Sequence, residues 1–144
     1  MNLVDELNRF CAQRNGCESL LEQTKLVERF FNDSVMNELE ILVKFFQFMQ
    51  VAVTRSRQSA AKLILHLPGS KLLTFSYEYL KPLSSMDDED KKLLEKFVLC
   101  LSDVLKFLLE IHPHCFSQLD SMGIFDRLEA YSLKSQVNFC FVFD

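Results

Sequence analysis

With 144 residues the chain is long enough for one domain with a real core, and 49% hydrophobic against 25% charged residues excludes wholesale disorder. The net charge of −4 offers no basic face for nucleic acid. The most apolar stretch, Phe97 to Ile111, is broken by Asp103, Lys106 and Glu110 and is too short for a bilayer, so no membrane association is expected.

The opening residues place Asp5 and Glu6 where a secretion signal would carry bases. Five cysteines (Cys11, Cys17, Cys100, Cys115, Cys140) have no disulfide-framework spacing and are expected to be reduced, which implies cytoplasm or nucleus. Three glycines and three prolines are few for the tight turns of a sheet, and fourteen phenylalanines require burial. Short helices are expected at Leu3–Cys11 and Leu20–Phe31. Asn32-Asp33-Ser34 matches a glycosylation acceptor, but its expected job is to cap the following helix through Asp33 or Ser34.

From Val35, apolar residues at Leu39, Leu42, Val43, Phe46, Met49 and Val53 follow the spacing of one helix face. Ile41, Phe45, Phe48 and Ala52 add a second stripe, so this long helix should be buried on most sides. Residues 60–80 admit two readings. Leu67-Pro68-Gly69-Ser70 suits a type II turn, and the alternation of Leu73, Phe75, Tyr77 and Tyr79 with polar residues allows a hairpin over 61–80. Leu72, Leu73, Ser76, Tyr79 and Leu80 also suit a helix, the reading favoured here. A second long helix follows, with Leu93, Leu94, Phe97, Val98, Leu101, Val104, Leu105, Leu108 and Leu109. It is expected to start at Ser84 or Ser85, with Asp87-Asp88-Glu89-Asp90 over its N-terminal dipole, and to stop before Pro113. Another helix is expected near Phe125–Tyr131. The tail Val137–Phe143 alternates like a strand or opens a further unit; such an apolar tail should dock on the core, a second copy or further chain.

The glycines, Gly16, Gly69 and Gly123, lie 53 and 54 residues apart. Before each stands a short amphipathic segment: Leu3 to Arg14, Ser59 to Leu67, Cys115 to Ser121. After each comes another, opening with Leu20-Leu21, Leu72-Leu73 and Ile124-Phe125. Each glycine is expected to supply a positive φ at the end of its short helix. The order short helix, glycine, apolar helix, polar break and long helix resembles armadillo-like repeats. The match runs over Leu93–Ile111, His114–Ser121, Gly123-Ile124 and Leu128, and upstream over Leu39–Val53, Ser59–Leu67, Gly69, Leu72-Leu73 and Ser84-Ser85. The period departs from the family, whose units have about 40–47 residues.

The resemblance implies an all-α fold, an armadillo/HEAT-like α-solenoid segment of about two and a half units, as a single helical domain over 1–144 or a piece of a longer solenoid. It implies a non-enzymatic scaffold or adaptor that binds another protein through a groove between helices. One alternative is a closed helical bundle of apoptosis-regulator or viral-inhibitor type, although that family's tryptophan-bearing motif is missing. Another is a homodimerisation module burying its phenylalanines against a second copy.

No catalytic or cofactor motif is present, and no metal site is expected. His112-Pro113-His114-Cys115 has no second ligand pair to complete a zinc site and reads as a helix-terminating loop. Charge placement says more. Between Glu40 and Glu78 there is no acid, but there are Lys44, Arg55, Arg57, Lys62 and Lys71. Arg55, Arg57, Lys62 and Lys71 are the candidate partner-binding residues, suited to an acidic peptide. The plainer reading is a solvated loop balancing Asp87 to Asp90. Ser84 and Ser85 also stand before acids as an acid-directed kinase prefers, though capping explains them more simply.

Overall fold

Three of the helices start at side chains that close orphan amides. Asn2 accepts from the Asp5 amide at 2.8 Å, Ser70 from Leu73 at 3.2 Å, and Asp87 from Asp90 at 2.8 Å. The computed structural model describes residues 2–80 and 87–135, with side chains through 131. Among the described residues there are nine α-helices and no strand. They are α1 (Leu3–Ala12), α2 (Gly16–Leu21), α3 (Thr24–Asn32), α4 (Leu39–Arg55), α5 (Arg57–Ile64), α6 (Lys71–Tyr79), α7 (Asp88–Ile111), α8 (Phe116–Ser121) and α9 (Ile124–Ser135).

Several expectations hold, with shifted boundaries. Residues 61–80 are helical rather than a hairpin. The turn at 67–70 forms as expected, with Gly69 at φ +77° and the Ser70 amide donating to the Leu67 carbonyl at 3.1 Å, but it joins two helices. The helix expected over Leu20–Phe31 is two, broken after Leu21. Its apolar spacing is continuous, so the break has a tertiary cause: α2 packs on α1 and α5, whereas α3 packs on α6. Asp33 does cap, accepting from Val35 at 3.0 Å, but it caps a 3₁₀ turn over Ser34–Asn37. The long helix α4 starts only at Leu39. The cap of α7 is Asp87; Ser84, Ser85 and the Val137–Phe143 tail lie outside the described residues. Helix α7 ends at Ile111, ahead of Pro113, whose ring and missing N–H cannot continue it.

Two glycines behave as expected: Gly69 and Gly123 have φ of +77° and +84°. Gly16 does not. It begins α2 without a positive φ, and a Cβ there would stand 2.1 Å from the Phe10 carbonyl oxygen. Its requirement is the close approach of α2 to the end of α1.

The core is one cluster running from Leu3 to Tyr131, threaded by a chain of rings. Phe10 meets Phe30 edge-on at 6.4 Å, Phe30 stacks on Phe45 at 5.3 Å, and Phe46 meets Phe97 edge-on at 5.3 Å. All five are at most 1% exposed, and each such pair adds about 0.5–1.5 kcal/mol beyond area burial. The train therefore ties α1, α3, α4 and α7 together.

Helices α4 and α7 form the most extensive pairing and run parallel. Phe46 lies against Phe97, Gln50 donates to Asp103 and accepts from the Cys100 thiol, and Arg57 beyond the end of α4 reaches Glu110. Long helices joined by a short link would run antiparallel; here α5 and α6 carry the chain back first. A second recurrence joins the shorter helices. Asn32, the last residue of α3, accepts from the amide of Lys71, the first of α6, at 3.2 Å. The Tyr77 carbonyl near the end of α6 accepts from Arg127, in the first turn of α9, at 2.7 Å.

Candidate functional site

The close approach permitted by Gly16 folds α2 back on α1 and leaves an open groove between the end of α1 and the exposed side of α4. The groove has a volume of about 550 Å³. Phe10, Cys17 and Ala52 form its buried floor, with Phe48 half-buried beside them. Arg14, Lys44, Val51 and Arg55 stand exposed around it, and Val51 leaves half of its surface (50%) open. An exposed valine beside phenylalanine rings provides apolar surface that a partner side chain can cover.

Lys44, Phe48, Val51 and Arg55 share one face of α4 because they follow three- and four-residue steps. Arg14 comes from the loop after α1. The lining therefore carries three cations and no carboxylate, within a chain of net charge −4. Lys44 donates to the neutral side-chain amide of Asn8. No ion pair holds Arg14, Lys44 or Arg55 among the described residues.

The four candidate residues are distributed unevenly. Arg55 lines the groove. Arg57 turns toward α7, where it lies 3.4 Å from Glu110 and 4.9 Å above the Phe107 ring. Lys62 on α5 and Lys71 at the start of α6 are exposed and outside the groove lining. Lys44, which belongs to the same acid-free stretch, takes their place. Arg14 was not foreseeable from that stretch. Its only local signal is a cation just before Gly16, and only the approach of α1 to α4 brings it to the groove.

The chain matches no family model, no curated protein and no solved structure. The chemistry of the groove is therefore read from its own residues.

Its two thiols are poor nucleophiles at neutral pH. Burial pushes the Cys17 thiol up to about 11, and neighbouring Glu18 adds to the shift. Partial desolvation also raises the Cys11 thiol, an effect offset in part by Lys44, although Cys11 stays accessible. Elsewhere, His112 and His114 meet edge-on at 5.4 Å beside buried Cys115. Among the described residues no group of three or more His, Cys, Asp or Glu side chains is placed to hold a metal, and no helix is long and apolar enough to cross a membrane.

Proposed function

We propose that this chain is a non-enzymatic protein-interaction module, a scaffold or adaptor that receives a segment of another protein in the groove between α1 and α4. The observation that carries this reading is the open groove of about 550 Å³, with Phe48 and Val51 presenting apolar surface inside a rim of cations. Its size falls in the range of clefts that take a few side chains.

The reading includes an armadillo-like stack of helical units. It is supported by the side-chain links from α4 and the start of α5 to α7, and between α6 and α9, which join residues 50 to 53 positions apart, close to the glycine spacing. Parallel packing of α4 on α7 supports it too, since stacked copies place equivalent helices side by side in one direction. Four free thiols agree with a reducing compartment, cytoplasm or nucleus.

The test uses Cys11 as a reporter, because it is accessible and lines the groove while Cys17, Cys100 and Cys115 are buried. In a Cys140→Ser background, maleimide labelling of Cys11 is followed against a panel of helical and extended peptides of varied charge. A groove that docks partner segments is protected by a subset of the panel, and Val51→Glu removes the protection. A panel in which no peptide slows labelling overturns the reading.

A further inference from the structure

We infer that the groove takes an acidic segment of a partner protein, in which apolar side chains seated on Phe48 and Val51 are bracketed by carboxylates meeting Lys44, Arg55 and Arg14. This inference rests on the groove being a docking site, and it names the chemistry of the occupant.

Charge carries it. Three cations elsewhere meet the chain's own acids: Arg9 lies 2.6 Å from Glu6, Arg29 lies 3.7 Å from Asp33, and Arg57 lies 3.4 Å from Glu110. The groove differs in gathering its cations together. Three cations line one apolar cleft without a carboxylate, although the chain carries 20 acids against 16 bases. Exposed cations left in water cost little. Each gains a charge-assisted hydrogen bond when a carboxylate arrives beside apolar surface that excludes water. A basic occupant would instead set like charges against one another, which disfavours the wrong partner.

Spacing sets the pattern of the occupant. Lys44 and Arg55 stand eleven residues apart on one face of α4, about 16 Å along the helix axis at 1.5 Å per residue. Phe48 and Val51 lie between them. An occupant laid along α4 therefore needs acid, apolar and acid groups in that order. A helical occupant meets it with acids about eleven positions apart, and an extended one with acids about five apart. Nucleic acid fits poorly, because its backbone presents a continuous phosphate track rather than an apolar centre, and the net field of the chain repels it.

Fluorescence anisotropy on the full chain tests this with three labelled helical peptides that share one apolar centre and carry Glu, Gln or Lys at the flanking positions. The Glu peptide should bind about tenfold or more tighter than the Gln peptide, weaken as salt rises, and exceed the Lys peptide further. Lys44→Glu with Arg55→Glu should reverse the order, so that the Lys peptide binds best. Both side chains are exposed, and circular dichroism checks that the variant keeps its helices. Equal binding of the Glu and Gln peptides, both blocked by Val51→Glu, would overturn the acidic occupant and leave the docking groove standing. Failure of every peptide to bind or to slow Cys11 labelling would overturn the groove itself. Tighter binding of single-stranded RNA or of anionic vesicles, lost in Lys44→Glu with Arg55→Glu, would also overturn the acidic peptide.

Discussion

Replacing Gly16 by alanine adds one methyl group where α2 abuts the end of α1. The new Cβ would lie 2.1 Å from the Phe10 carbonyl oxygen, 3.0 Å from its carbon and 3.2 Å from the Phe48 ring. Ordinary contact begins near 3.4 Å, so the carbonyl must withdraw by about 1.3 Å. That carbonyl also accepts from the Gln13 amide at 3.3 Å, the bond that closes α1. Alanine recovers at most about 1 kcal/mol in helix propensity, and less at the first position of a helix. Overpacking costs typically 1–3 kcal/mol, so we expect a net loss of about 2 kcal/mol. For a chain of this size the melting temperature should fall by about 4–8 °C. Thermal and urea unfolding, followed by far-UV circular dichroism, measure both. Phe10 and Phe48 line the groove, so the Cys11 labelling rate should change as well. An unchanged or raised melting temperature would refute the argument that lack of a Cβ, rather than backbone freedom, is what Gly16 provides.

Gly123→Val should cost more than about 1 kcal/mol, from strain at φ +84° alone, since the nearest atom to a Cβ there is the Tyr77 hydroxyl at 3.6 Å; equal stability in urea would contradict it. Phe46→Ala empties a fully buried site against Phe97 and should cost about 3–5 kcal/mol, measured by the urea midpoint. Stability should also fall as pH rises from about 9 toward 11. Burial holds the Cys17 and Cys100 thiols at about 11 in the folded state, with Glu18 and Asp103 respectively adding to the shift, whereas the unfolded chain releases those protons near 9. Cys17→Ala with Cys100→Ala should flatten that part of the pH profile, and an unchanged slope would count against it.

Local physics made much of the fold readable in advance. The long helices announce themselves because Leu42, Phe46 and Met49, and later Leu94, Leu101 and Leu108, must face one way. Asp33 and Pro113 punctuate the chain through their own side chains. The break between α2 and α3 was hidden because Leu20, Val27 and Phe31 keep one helical period across it, and only their different neighbours separate them. The same holds for the groove. Lys44 and Arg55 stand out as bases in a stretch without acids, but Arg14 joins them only once α1 lies beside α4. Arg57 looked equally available until Glu110, 53 residues downstream, turned up beside it.

The parallel pairing of α4 with α7 has a consequence during synthesis. Phe46 has no exposed surface in the finished chain, and part of its cover is Phe97. Helix α7 is complete only 56 residues after α4 ends, which at 5–20 residues per second is a delay of about 3–11 s. For that interval the nascent chain displays an apolar helix flank whose cover has not been made. A product stopped at residue 80 keeps that flank bare for its whole lifetime. Such a truncation should be captured by chaperones or aggregate, even though it contains α1 to α6 intact and every residue that lines the groove.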